Sequence, residues 1–85
     1  MIAQLEALKH LLLDEWDPIG VRGATGAEDE YDNYAFDIFV MLNSGAAEDQ
    51  IAAYLDRVET EHMCLRLRAD RNRAVAQRAV AIGRG

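Results

Sequence analysis

Apolar residues recur every three or four positions along most of the chain, which is the period of an amphipathic α-helix. The first such stripe predicts a helix over about residues 2–15 and consists of Ile2, Leu5, Leu8, Leu11 and Leu12. This helix must end before Pro18, because the residue that precedes a proline avoids the α-helical conformation.

A second stripe predicts a helix over about residues 28–43 and comprises Tyr31, Tyr34, Ala35, Ile38, Met41 and Leu42. Thr25 and Glu28 have the spacing of a capping box at its start. Ser44 and Gly45 follow its last apolar residue, and Gly45 is free to adopt the left-handed conformation that often ends a helix.

The third stripe predicts a helix over about residues 46–63 and comprises Ile51, Tyr54, Leu55, Val58 and His62. Ser44 is a candidate N-cap for this helix. Glu48 and Asp49 then fall in its first turn, where the helix dipole favours negative charge.

The last part of the chain, residues 66–85, has a different composition, with six arginines against one acidic residue and frequent alanine. Both residue types favour helix, and a thin apolar stripe of Leu65, Leu67, Val75, Val80 and Ile82 predicts a fourth helix over about residues 66–82, fraying near Gly83. The predicted fold is all-α. It is a single compact helical domain over residues 1–85, with a long loop after the first helix and an Arg-rich C-terminal helix in 66–85.

Charge is unevenly distributed along the chain. The 85 residues include 15 acidic and 9 basic side chains, which gives a net charge of −6 and a pI near 4.7. Residues 1–65 carry −11, whereas residues 66–85 carry +5. This balance argues against a protein whose whole surface holds nucleic acid.

The sequence indicates a cytoplasmic protein that does not enter a membrane. No apolar run approaches the ~20 residues that span a bilayer. The first residues include Glu6, Asp14 and Glu15 rather than the basic start of a signal peptide. A single cysteine, Cys64, excludes an internal disulfide.

Patterns typical of catalysis or metal binding are incomplete in this chain. Glu59 and His62 form an E-x-x-H pair, but a di-metal site in a helical bundle needs a second pair and further glutamates. Gly20, Gly23 and Gly26 lack the lysine of a phosphate-binding loop. We therefore expect no catalytic residue, no metal, no cofactor and no enzymatic activity.

The arginines of residues 66–85 allow two interpretations. They either pair with acidic side chains of the same chain, above all Asp29, Asp32 and Asp37, or lie on the phosphate backbone of a nucleic acid. No aromatic residue is interleaved with them, which favours pairing within the chain. A nucleic-acid-binding or regulatory protein that uses this helix remains the alternative function.

Two short motifs carry a family resemblance: WDPIG at residues 16–20 and DEYDNY at residues 29–34. A small-residue break at Ser44-Gly45 and the pair Glu59 and Met63 follow. In these features the chain resembles short all-helical bacterial proteins of unknown function with a Trp-Asp-Pro-Ile-Gly turn and an Asp-Glu-Tyr-Asp helix start. The resemblance covers over half of the chain and implies a small all-helical fold. It supplies no activity, so no catalytic residue is carried over.

The loop after the first helix and the acidic start of the second helix form the predicted functional surface. We expect Trp16 and Pro18 to fix this loop against Tyr31 and Tyr34. The candidate protein-binding residues are Trp16, Asp17, Asp29, Glu30, Asp32 and Asp37. They predict a non-enzymatic protein-binding module.

Surface carboxylates of this kind suit an immunity- or inhibitor-type role, in which they cover a basic site on another protein and speed association. The expected partner is another protein, basic in charge. A homodimer is left open, and nucleic acid is the less favoured partner.

Overall fold

Four α-helices make up the fold in a computed structural model that describes residues 2–17, 20, 31–63 and 65–84. They are α1 (Ile2–Leu11), α2 (Asp32–Asn43), α3 (Glu48–Arg57) and α4 (Ala69–Arg84). A π-helical turn extends α1 over Leu12–Trp16, and another extends α3 over Val58–His62. No strand occurs in these ranges, so the prediction of an all-α fold with four helices is confirmed. None of the described helices is both long and apolar enough to cross a membrane.

The helix boundaries differ from the predicted ones by a few residues. With its π-helical turn, the first helical stretch ends at residue 16 rather than 15, and α3 begins at 48 rather than 46. The predicted start of the second helix, at residues 28–30, lies outside the described residues. α4 begins at 69 rather than 66. The backbone N–H of Arg68, just before the first residue of α4, donates to Oε1 of Glu59 at 2.9 Å.

The C-terminal end of α4 is held against the other helices, which corrects the predicted fraying near Gly83. Nε2 of Gln4 donates to the carbonyl oxygens of Ile82 and Gly83, at 3.3 and 3.4 Å. A Cβ at position 83 would lie 3.2 Å from the methyl carbons of Leu42. The missing side chain therefore lets the end of α4 approach the end of α2 closely.

The apolar stripes of the first three helices form the core, as predicted. Buried side chains from these stretches are Leu8, Leu11, Leu12, Ala35, Ile38, Ile51, Leu55 and Val58. α1 contacts both α2 and α4, and α3 packs most extensively against α4. Full burial of a Leu, Ile or Val side chain contributes roughly 1.5–3 kcal/mol, so this core is the main source of stability.

α4 contributes small residues to the core. Val75, Ala76 and Ala79 are buried, and their small side chains allow α4 to pack closely against the neighbouring helices. Leu67 was predicted to belong to the apolar stripe, and that prediction is wrong, because Leu67 is 47% exposed. It lies in the non-helical segment before α4, where the helical period does not set its direction.

The turn between α2 and α3 depends on Gly45. Its φ of +85° is the left-handed conformation that the sequence predicted. Ser44 is not the N-cap of α3, which corrects that prediction, because its N–H closes the last turn of α2 on the carbonyl of Val40 at 3.0 Å. The N-cap is Ala47, whose backbone N–H donates to Oε1 of Gln50 at 2.8 Å.

The side-chain amide of Asn72 joins three parts of the chain inside the core. Asn72 lies on α4 and is completely buried. Its Oδ1 accepts a hydrogen bond from Nε1 of Trp16 at 2.9 Å. Its Nδ2 donates to Oδ1 of Asp56 at 2.8 Å and to Oε1 of Glu59 at 3.1 Å. Because the acceptor and the donor both have partners, the amide is buried without the penalty of an unsatisfied polar group.

Glu59 is the buried charge of this network, with a side chain that is 2% exposed. Besides Asn72, it accepts the backbone N–H of Arg68 and forms an ion pair with the guanidinium of Arg71. Removing one partner of a buried ion pair typically costs roughly 3–5 kcal/mol, because the other charge is left uncompensated. These bonds hold the start of α4 against the π-helical turn that follows α3.

Asn72→Ala is expected to lower the free energy of unfolding by about 2–4 kcal/mol, because it leaves Nε1 of Trp16 without a partner in the core and removes the donor to Asp56 and Glu59. Urea unfolding, followed by the fluorescence of the chain's single tryptophan, measures the change. Gln77→Ala alters an exposed residue of the same helix and is the control, with an expected change below about 0.5 kcal/mol. Equal stability of the two variants would contradict the role of Asn72.

Candidate functional site

Trp16 lies in the core rather than on the surface, with an exposure of 1%. Its ring meets Tyr31 and Tyr34 edge-on, at centroid distances of 5.3 and 5.8 Å. The predicted packing of Trp16 against both tyrosines is therefore confirmed, whereas Pro18 lies outside the described residues. Since Trp16 has almost no exposed area to offer a partner, its role is to support the start of α2 from inside.

Asp17 connects the end of the first helical stretch to α2. Its φ of +31° and ψ of 57° place it in the left-handed region, which residues with a side chain rarely adopt. Its carbonyl accepts the N–H of Gly20 at 3.2 Å, and its Oδ1 accepts the hydroxyl of Tyr31 at 2.7 Å. Asp17 therefore begins a turn and also fixes Tyr31 next to Trp16.

The remaining candidate residues divide into two pairs. Asp29 and Glu30 lie outside the described residues. Asp32 and Asp37 both lie on α2, where Oδ2 of Asp32 is 3.6 Å from Nζ of Lys9. The pKa of Lys9 is raised, first by its hydrogen bond to Glu6 and further by the charge of Asp32, so the ammonium stays charged beside this carboxylate.

Asp37 is held by a neutral donor rather than by a base. The hydroxyl of Tyr54, on α3, donates to Oδ2 of Asp37 at 2.6 Å. Burial raises the pKa of Tyr54, and the hydrogen bond to Asp37 raises it further. No base pairs with Asp37 among the described residues. The hydrogen bond from Tyr54 therefore orients the carboxylate of Asp37, and no described base forms an ion pair with it.

The outward side of α2 carries two large apolar residues that the sequence reasoning missed. Phe36 is 54% exposed and Val40 is 46% exposed. They are one helical turn apart and lie opposite the buried Ala35 and Ile38. The sequence did contain a signal for them. Residues 38–42 are all apolar and Phe36 is a further apolar residue, so α2 has more apolar side chains than a single buried stripe accommodates.

Asp32 and Asp37 are helical neighbours of this apolar pair. Asp32 precedes Phe36 by four residues and Asp37 precedes Val40 by three, the spacings at which side chains on a helix meet. α2 contains no lysine, arginine or histidine. We refer to Asp32, Phe36, Asp37 and Val40 together as the outer face of α2.

The arginines of α4 pair within the chain, as predicted, but with other acids than those predicted. Arg71 binds Glu59, Arg73 lies 3.1 Å from Asp49, and both oxygens of Glu15 are 3.2 Å from nitrogens of Arg78. The predicted pairing with Asp32 and Asp37 is wrong, because α4 presents its arginines to α3 and to the π-helical turn after α1. In the described part of the chain, Arg66, Arg68 and Arg84 have no acidic partner.

Glu59, which the sequence placed in an E-x-x-H pair, is an internal structural carboxylate. Its oxygens are occupied by Arg68, Arg71 and Asn72. The side chain of His62 lies outside what the structure describes. Within the described residues, no group of three or more potential metal ligands comes together.

Comparisons with protein-family models, curated proteins and solved structures found no match to this chain. The resemblance to short bacterial proteins therefore stays a prediction from the two motifs. The function is therefore inferred from the geometry of the described residues.

The raised pKa of Tyr54 predicts a pH dependence of stability. Its pKa is higher in the folded protein than the value of about 10 expected when unfolded, so ionisation favours unfolding. The stabilisation is fully present below about pH 10 and is lost as the pH rises above that value. Urea unfolding at about pH 8 and about pH 11 should show a smaller loss of stability in Tyr54→Phe than in the unaltered protein. Identical losses would contradict the bond to Asp37.

Proposed function

We propose that this protein is a non-enzymatic protein-binding module whose contact surface is the outer face of α2 and whose partner is a basic protein. The observation that carries the proposal is the exposed pair Phe36 and Val40 between the carboxylates of Asp32 and Asp37. Exposed apolar side chains bordered by charge are typical of interaction sites. Asp29 and Glu30 remain proposed members of the same surface.

The charge of this surface favours a basic partner. Asp37 has no basic partner among the described residues, and Asp32 lies 3.6 Å from one lysine, the half-buried Lys9. Carboxylates in such a position accelerate the encounter with a positively charged surface and add specificity more than affinity. An immunity- or inhibitor-type role fits this arrangement, because such a protein must reach and cover a basic site quickly.

A homodimer through the outer face of α2 is less favourable. A two-fold interface would bring two copies of Asp32 and two of Asp37 together. α2 offers no base to compensate them, and like charges in contact oppose association.

The alternative function, nucleic-acid binding by the Arg-rich C-terminal helix, has less support. Three of the six arginines of residues 66–85 bind acids of the same chain: Arg71, Arg73 and Arg78. Moreover, α4 contributes Val75, Ala76 and Ala79 to the core. Its main role is therefore to complete the fold, and only Arg66, Arg68 and Arg84 are left for this alternative within the described residues.

Charge reversal at Asp32 and Asp37 to lysine is expected to slow association with the partner by about 3- to 10-fold at low salt, because long-range attraction is lost. The partner is first captured from a lysate of the source cells and identified, and association rates are then measured by biolayer interferometry. The effect should shrink as salt screens the charges. Glu61→Lys, at an exposed position outside α2, is the matched control.

Point variants also discriminate between the two functions. Truncation before α4 would remove part of the core, so Arg66→Gln combined with Arg68→Gln tests the basic segment instead. The protein-binding proposal expects this pair to leave partner capture unchanged and Phe36→Ser to reduce it. Loss of capture in the arginine variant together with sensitivity to nuclease would support the alternative function and overturn the proposed one.

A further inference from the structure

The outer face of α2 leads into a concavity at the α2–α3 turn. This concavity has a volume of about 360 Å³ and is lined by Val40, Met41, Ser44, Gly45, Ala46 and Gln50. Val40 belongs to both features, so the apolar ridge and the hollow are continuous. The polar groups at its edge are the hydroxyl of Ser44 and the amide of Gln50, and no charged side chain lines it.

We infer that the partner binds the outer face of α2 through a basic amphipathic helix, which places one apolar side chain in this concavity and a lysine or arginine against Asp37. This inference rests on the proposed function and names the form of its partner. Charge complementarity favours a partner helix with basic side chains, because α2 contributes two carboxylates and no base. The uncharged, partly apolar lining of the concavity selects an apolar anchor.

A helix is the form of partner that this surface accepts best. The described residues contain no strand, so they offer no sheet edge to which a partner could add a strand. Packing the apolar face of an amphipathic helix into a hydrophobic groove is a common mode of recognition that requires no sheet. Phe36 and Val40 form a ridge along α2, against which the side chains of a second helix can interdigitate.

The distance between Asp37 and the concavity also matches the spacing of side chains on one face of a partner helix. Asp37 precedes the turn at Ser44 by seven residues, which is about 10 Å along α2. Two residues seven apart on a partner helix lie on one face and are separated by the same distance. A single partner helix can therefore reach the concavity with its apolar anchor and Asp37 with its base.

The test uses the full chain and a labelled synthetic peptide of about 18 residues, composed of leucine, lysine and alanine with the leucines on one helical face. A scrambled isomer of equal composition and charge is the control peptide. Binding is measured by fluorescence anisotropy, and the contact surface is located from amide NMR shifts. Shifts are expected at Phe36, Val40 and Ser44, and the scrambled peptide is expected to bind at least about tenfold more weakly.

Variants of the protein sharpen this test. Val40→Ser should weaken peptide binding about tenfold, whereas Leu67→Ser, at a similarly exposed leucine away from α2, should change it less than twofold (about 0.4 kcal/mol). Asp37→Asn should weaken binding and reduce its dependence on salt. Circular dichroism of each variant checks that the fold is retained.

Four outcomes would overturn the inference. Equal binding of both peptides, or shifts mapping away from α2, would exclude a helix on this face. A concentration-dependent dimer that Val40→Ser abolishes would assign the face to a second copy. If the peptide fails to bind while Phe36→Ser still reduces capture of the natural partner, the inferred helical form is wrong and the proposed function stands.

Discussion

The buried amide of Asn72 is the constraint on which the rest of the structure depends. It receives Trp16 from the π-helical turn after α1, and it donates to Asp56 and Glu59 at the end of α3. Each of these groups would be costly to bury without a partner. Because apolar packing has no direction while hydrogen bonds do, this network fixes how α4 is aligned against the other helices.

This internal network also determines which charges are left for a partner. Glu59 engages Arg71 and the start of α4, while Arg73 and Arg78 pair with acids of α3 and of the turn after α1. The Arg-rich helix is thus largely compensated from within. Asp37 accepts the hydroxyl of Tyr54 and has no basic partner among the described residues, so α2 displays an acidic side chain next to its exposed apolar pair.

Helical period and turn residues were sufficient to predict the fold, because Ile38, Ile51 and Gly45 behave as their local pattern dictates. The start of α4 was placed three residues too early, because arginine favours helix and the local pattern does not show that residues 65–68 are non-helical. The bond from the N–H of Arg68 to Glu59 is a long-range contact that no local pattern predicts either. The burial of Asn72 could not be predicted from the sequence either, since the local pattern around a buried asparagine does not differ from that around an exposed one. The candidate residues were predicted in part: the packing of Trp16 against Tyr31 and Tyr34 was expected from its motif, but its 1% exposure leaves almost no area for the partner contact that was also expected of it.

Exposure alone does not distinguish a site, as Leu67 and Val40 show with nearly equal exposed fractions of 47% and 46%. Leu67 borders the arginines at 66 and 68, and a partner that buried it would have to satisfy those charges too. Val40 continues into an uncharged concavity and has a second apolar residue, Phe36, one turn away. Removing that area from water gains about 25 cal/mol per Å², while the bordering carboxylate of Asp37 requires a basic group on the partner. The outer face of α2 therefore offers more continuous apolar area than the single leucine at position 67, together with a charge that restricts the choice of partner.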